Sequence, residues 1–302
     1  MQNNLKKLEK CLPNHSIKTL SDNSCVGFVE NIGLFSRANN DGPSHQFLIS
    51  SKYIRGDIEF NKSVTNYFAE SSQIMLSLNE RLDTSTCLST KLVGNHNLEM
   101  PLTSAIKMRR SIRKFTGNTL KFEDLSTLLF SARGVTGHLI TEEFADPIKI
   151  PIHSAPSAGG TNPIDIYFIS LKSENLKDGI YQYVSIENQL IKHDLNIEEK
   201  SFKFKLEEIF SLVENNIAVS DLSGIFIFVA RPWKTMRKYG HRGLRFIFLE
   251  AGAIAQNIHL TSTAIGIGSV DWGGFYDDEL NELLFLDGIN NLAIHAILIG
   301  TK

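Results

Sequence analysis

Residues 244–264, LRFIFLEAGAIAQNIHLTSTA, read as one long helix that is apolar almost all round. A helix of that kind has to be wrapped by other elements, so it is expected at the buried centre of the fold. Two apolar runs read as buried strands, at 164–171 and, as IFIFVA, at 225–230. Further strands are expected at 179–183, 265–271 and 292–300. Helices are expected at 104–110, at 121–132, within 200–217 and at 277–284. Leu125, Leu128, Leu129 and Ala132 fall on one face of the second. The stretch 138–160, rich in Pro, Ser and Gly, reads as a long loop. Interleaved helices and strands predict an α+β or α/β fold built on one main sheet.

The first hundred of the 302 residues are polar and irregular, with a moderate helical pattern over 61–78. The texture changes at Leu98-Glu99-Met100-Pro101-Leu102, where a boundary is expected, giving regions 1–97 and 98–302. A formal charge of -2 argues against a general nucleic-acid binder. Cys11, Cys25 and Cys87 lack CxxC spacing, so neither a disulfide framework nor a zinc site is expected, and a reducing cytoplasm suits the chain. The first residues lack the apolar core of a secretory signal, and no apolar run approaches ~20 residues, the length of a membrane span.

Arg109-Arg110-Ser111-Ile112-Arg113-Lys114-Phe115 packs four cations and a hydroxyl into seven residues. Three guanidinium forks beside a serine match a terminal phosphate. A solvated helix face is the plainer alternative. Pro156-Ser157-Ala158-Gly159-Gly160 offers backbone N–H groups to a flat ligand, or is simply a turn-rich loop. Lys238-Tyr239 lies among Arg237, Arg242 and Arg245, whose charges are expected to lower both ionisations and favour a general base. A basic surface loop is the competing reading. Glu250, set among apolar residues, is expected to pair with one of the nearby arginines. Gly273-Gly274 after Trp272 would let an aromatic ligand lie on the backbone. Gly266-Ile267-Gly268 follows a helix and lacks a third glycine, so it is not a dinucleotide fingerprint. The nine histidines show no HExxH or comparable pair, and no metal is assigned.

Five blocks then occur in order: RRSIRKF, LSTLLFSARGVTG, APSAGGTNPIDIYFI, KYGHRGLRFIFLEAGAIAQNIHL and GIGSVDWGGFYDDELNELLFLDG. Together they resemble the nitroreductase superfamily over roughly residues 98–302. They resemble most closely its SagB-type branch, which includes the flavin-dependent azoline dehydrogenases of thiazole/oxazole-modified peptide pathways. SHQFLISSKY, at 44–53, is a weaker match to that branch's N-terminal region. The resemblance implies a nitroreductase-like α+β fold with a central, mainly antiparallel sheet flanked by helices. It also implies a homodimer with FMN at the subunit interface.

By position, Arg109, Arg110, Ser111 and Arg113 would hold the FMN phosphate and ribityl chain. Pro156, Ser157, Ala158 and Gly160 would line the flavin from the other subunit, Gly273 and Gly274 would approach its ring, and Lys302 would add a phosphate contact. Lys238 and Tyr239 match the branch's catalytic Lys-Tyr pair. Leu244 stands where an aromatic residue is common and Trp272 where a smaller one is expected, and both are expected to reshape the substrate pocket. The implied activity is oxidation of peptide thiazolines or oxazolines, with an azoline-containing precursor peptide and a cyclodehydratase complex as partners. Residues 1–97 would then dock one of them. A general NAD(P)H-dependent FMN nitroreductase or quinone reductase and a non-catalytic assembly subunit are the alternatives.

Overall fold

A computed structural model describes residues 15–21, 24–29, 43–53, 55, 57–78, 88–94, 97–141, 147–193 and 199–302. Cys11 and Cys87 lie outside them. The chain divides into two compact units, Met1–Ile54 and Arg55–Lys302. In the first, β1 (His15–Ser21) and β2 (Ser24–Val29) form an antiparallel pair, and α1 (Pro43–Ser50) follows.

The second unit opens with two helices, α2 (Ile58–Ala69) and α3 (Ser71–Leu78), where one periodic stretch is expected. They part at Glu70, whose backbone is extended. Asp57 caps α2 by accepting the N–H of Phe60 at 2.9 Å. There follow β3 (Ser89–Lys91), α4 (Leu102–Met108), α5 (Phe122–Arg133), β4 (Val135–Thr141), β5 (Ile148–His153), β6 (Ile164–Ser170), β7 (Gly179–Val184) and β8 (Gln189–Lys192). The chain ends with α6 (Glu199–Ile209), β9 (Gly224–Ala230), α7 (Pro232–Tyr239), α8 (Gly243–Ala264), β10 (Ile267–Trp272), α9 (Asp277–Leu283) and β11 (Leu292–Thr301).

Seven strands form one sheet in the order β10-β11-β9-β6-β7-β8-β3, with every pairing antiparallel. The expected α+β class, with a mainly antiparallel sheet and flanking helices, is the one observed. The central strands are continuously apolar because both faces are covered. On one face Ile166, Phe168, Phe226, Phe228, Ile297 and Ile299 pack with Leu125, Leu128 and Leu129 of α5 and Ile247, Ile254 and Ile258 of α8. On the other, Tyr167, Ile169, Ile225, Ile227 and Leu298 meet Leu206 and Ile209 of α6 and Leu280 and Leu283 of α9. The result is helix on sheet on helix, with a core on either side.

Two expectations need correction. Residues 138–160 are not one long loop: β4 and β5 pair as an antiparallel hairpin, with Pro151 opposite His138. Ile148 and Ile150 pack with Tyr67 and Ile74, and the two-stranded pairing needs no further neighbour at Pro151, which has no N–H to offer. Nor is α8 the buried centre. It flanks the sheet, and on this chain Phe248 and Leu249 stand 52% and 69% exposed. No helix among the described residues is long and apolar enough to cross a membrane.

Candidate functional site

Helix α4 ends at Met108, so the arginine cluster lies beyond a helix and not on its face. The segment runs extended along the β10–β11 edge. Ser111 bridges Ser269 in parallel, Ile112 N–H donates to Ser269 O at 3.0 Å, and Thr116 N–H donates to Thr301 O at 2.9 Å. Two glycines make this approach possible. A Cβ on Gly268 would sit 2.9 Å from Ile112 Cγ2, and one on Gly300 would sit 2.8 Å from Phe115 Cδ1. With Ile112 turned inward, Ser111 and Arg113 are exposed, as is Lys302, while Arg109 is half-buried. Arg110 folds back, donating to Lys107 O at 2.9 Å and Arg109 O at 2.7 Å, where it meets the negative end of α4. One corner of the chain therefore carries Arg109, Arg110, Arg113, Lys114 and Lys302.

The second group centres on Lys238 and Tyr239. These two residues form the last turn of α7, a helix that was not expected from the sequence, where a basic surface loop was the competing reading. Pro232 starts it, and Lys234 and Lys238, one turn apart, face inward. Lys238 is 1% exposed. Its Nζ donates to Gly159 O at 3.3 Å and lies 4.5 Å from the ring centroid of Tyr67 on α2. Its backbone carbonyl accepts the Ser63 hydroxyl at 2.8 Å. Tyr239 is half-buried, edge-on to Phe246 at 5.1 Å and tilted against Phe60 at 6.2 Å.

The loop 156–160 closes over this pair. Gly159 has φ +59°, and a Cβ there would come within 2.3 Å of Tyr239 Oη and 2.4 Å of Lys238 Nζ. Only glycine fits, for conformation and for space alike. The sequence reading included Gly159 in this loop but, of its two glycines, placed only Gly160 at the flavin. It also missed Phe60, Ser63 and Tyr67, which lie in a polar stretch without a chemical motif.

The ionisations follow burial more than neighbouring charge. Desolvation lowers Lys238 to about 8, the expected direction from a different cause than the expected arginines. Tyr239 contradicts the expectation: burial first, then Tyr67, raises its pKa, so it stays a neutral phenol. Glu250 is buried, and desolvation raises it to about 7 against a hydrogen bond from Ser157 and the charges of Arg133 and Lys234. Its arginine is thus Arg133 on α5, not one of those next to it in sequence. Ser157 Oγ also accepts Asn162 N–H at 2.8 Å. Glu250 therefore anchors the far end of the loop that Lys238 holds at Gly159.

Gly273 and Gly274 follow β10 in exposed positions, and a Cβ on Gly273 would meet nothing within 4 Å. Trp272 points away from a substrate pocket, contrary to expectation. It is buried against α6 and α9, and its Nε1 donates to Phe210 O at 2.8 Å and to Gly274 O at 3.1 Å. Leu244 packs against the core on the opposite side of the sheet. Among the described residues no hydrogen bond joins the arginine segment to the 156–160 loop, while β10 runs from the partner of Ser111 to the Gly-Gly turn.

Residues 106–300 match the model of the Nitroreductase family. A Methanocaldococcus jannaschii protein named as a nitroreductase is 31% identical over 186 residues, covering 62% of this chain and 85% of its own. In fold, the chain is similar to a crystal structure named as a nitroreductase from Ralstonia eutropha, with TM-score 0.54, 22% identity, and coverage of 71% and 89% of the two chains. It is also similar to a chain of the E. coli microcin synthetase McbBCD complex with truncated pro-MccB17 bound, with TM-score 0.52, 16% identity, and coverage of 86% and 91%. With well over half of its length matched, and with the antiparallel sheet and flanking helices described above, the chain belongs to the Nitroreductase family of oxidoreductases.

Proposed function

We propose that this chain is an FMN-dependent dehydrogenase that oxidises thiazolines or oxazolines in a peptide to thiazoles or oxazoles. The observation that carries the reading is the Lys238–Tyr239 pair, held under Gly159 with the amine desolvated to about 8. A general flavin reductase passing electrons from a nicotinamide has no need of a buried, lowered lysine beside a tyrosine. The similarity to a chain in the McbBCD complex, over 86% of this chain, supports the same direction and a peptide and a modifying complex as partners.

The residues fit FMN in two respects. The cationic corner keeps Ser111, Arg113 and Lys302 open to solvent, as a phosphate site requires, and the backbone at Gly273 is uncovered, as a flat ring requires. Arg109, Arg110, Ser111, Arg113 and Lys302 would hold the phosphate and ribityl chain, and Gly273 and Gly274 would lie against the ring. Pro156, Ser157, Ala158 and Gly160 would line it from the second subunit, with the exposed Phe248–Leu249 face of α8 as part of the homodimer contact. Bound FMN supplies the hydride acceptor. The protein's task is then positioning and proton transfer. Tyr239 meets the substrate with its hydroxyl, and the neutral fraction of Lys238 behind it takes the proton lost from the azoline ring.

Loss of the phosphate clamp should release the cofactor. Arg109→Ala with Arg113→Ala is expected to purify colourless, with FMN affinity lowered about 100-fold or more, at two charge-assisted contacts of ~1.5–3 kcal/mol each. Absorbance at the flavin maximum per mole of protein measures it, and stoichiometric FMN in the double variant would rule out this phosphate site.

A further inference from the structure

Helix α2 lies ahead of residues 106–300, which carry the family match, yet one of its faces is turned toward Lys238 and Tyr239. Phe60, Ser63 and Tyr67 recur at helical spacing and share that face. Phe60 packs on the Tyr239 ring, and the Ser63 hydroxyl donates to the Lys238 carbonyl. Tyr67 reaches the functional group itself. It is 5% exposed, and its ring receives the Lys238 amine at 4.5 Å from the centroid, inside the ~6 Å reach of a cation–π contact. The same amine donates to Gly159 O at 3.3 Å.

The ring is pinned at its hydroxyl. Tyr67 Oη lies 2.7 Å from Ser77 Oγ on α3, which also accepts Arg237 Nη2 at 2.7 Å. Arg237 Nη2 donates to Gln73 O at 2.7 Å, and Lys234 Nζ donates to Ser77 O at 3.0 Å. Lys234, Arg237 and Lys238 all belong to α7, so three helices are tied together around one amine. The titratable and charged groups beside Lys238 are Tyr67 from α2, and Tyr239, Arg237 and, one turn back, Lys234 from α7. The 156–160 loop offers a carbonyl, and α8 offers the uncharged Phe246 on the Tyr239 side. With two cations in that set, the ring face and the Gly159 carbonyl supply the attraction for an ammonium.

We propose that Tyr67 is a positioning residue for Lys238. Its ring face holds the amine against Gly159, beside the Tyr239 hydroxyl, both as the neutral base and as the ammonium formed when the base takes a proton. One wall of the reaction centre then comes from the region that was expected only to dock a partner. That Lys238 serves turnover rests on the azoline-dehydrogenase reading, whereas the placement of its amine stands on the geometry.

Carbon-13 NMR of the lysine Cε atoms in the full chain tests it, with the Lys238 signal assigned by its loss in Lys238→Met. Tyr67→Leu keeps the site apolar and removes the ring face, so the ammonium loses an attraction and the titration should fall by about 0.5 to 1.5 pH units. Tyr67→Phe restores the face and should restore the parent titration. Should Tyr67→Leu not fold, Tyr67→Phe carrying ring fluorines keeps the shape, weakens the face and should move the titration the same way. A Lys238 titration that neither change moves overturns the proposal. In turnover, Tyr67→Leu should lower kcat about 10-fold and carry the rising pH limb down with the NMR titration, and a limb left at the parent pH overturns the proposal equally. A displaced NMR titration in a protein that leaves azolines untouched would keep the placement and remove the reaction. An unmoved one in a protein that oxidises azolines would do the reverse.

Discussion

Tyr239→Phe is expected to lower the rate of azoline oxidation by about 10²–10⁴-fold while flavin content and folding stay unchanged. The substitution keeps the ring against Phe246 and Phe60 and removes only the hydroxyl that faces Gly159. Lys238→Met should lose a similar factor, since it keeps the buried stem and removes the amine. The pH dependence separates their roles. Burial has lowered Lys238 to about 8, so its proton-accepting form grows tenfold per pH unit below that value and levels off above it. The parent rate should therefore rise through about pH 8, and in Lys238→Met that limb should vanish. Tyr239, raised by burial, contributes no limb in this range. A Lys238→Met variant with the parent's rate and profile would remove the lysine from the mechanism.

The largest loss of stability is expected at Asp165. This residue of β6 is 1% exposed and pairs with Arg231, while Arg133 Nη1 lies 3.5 Å from its Oδ1. Arg231 N–H donates to Pro163 O at 2.7 Å, and Arg133 Nη2 donates to Asn162 O at 3.5 Å. Removing the carboxylate takes from buried Arg231 the counter-charge it pairs with here and leaves Arg133 with Glu250 alone of the two acids near it. Breaking such a pair costs about 3–5 kcal/mol. Asp165→Ala should therefore lower unfolding stability in urea by that amount, and a loss below about 1 kcal/mol would show the cluster to be solvated. Asn162 adjoins the 156–160 loop through Ser157, so partial occupancy by flavin should accompany the loss.

Much of the fold was legible because local pattern and burial agree. The face Leu125, Leu128, Leu129 and Ala132 of α5 is buried as the periodicity requires. The apolar run at β9 is buried at every position. The hairpin β4–β5 was not legible, since Pro151 and the neighbouring Ser and Gly residues mask the alternation of Ile148, Ile150 and Ile152. Helix α7 was hidden by its cations, whose inward face at Lys234 and Lys238 a polarity pattern reads as outward.

The site was legible as motifs and not as an arrangement. Ser111 against Ser269, Gly159 against Lys238, and Glu250 with Arg133 join residues remote in sequence, and only the folded chain makes them neighbours. The tyrosine ionisation failed for the same reason. Nearby arginines in sequence suggested a phenolate, whereas the helix turn carries Tyr239 into a partly desolvated pocket with Tyr67. Trp272 likewise reads as a pocket residue from its place before Gly-Gly, and the alternation of β10 turns it into the core.

The central claim is that this chain takes electrons directly from an azoline. Anaerobic mixing of the FMN-loaded protein with a thiazoline-containing peptide, in the absence of nicotinamide cofactors, tests it most directly. The account predicts bleaching of the yellow absorbance with formation of a peptide two hydrogens lighter, carrying a thiazole. Flavin that keeps its colour with the thiazoline peptide but bleaches on adding NADH or NADPH would contradict it and leave a general reductase in its place.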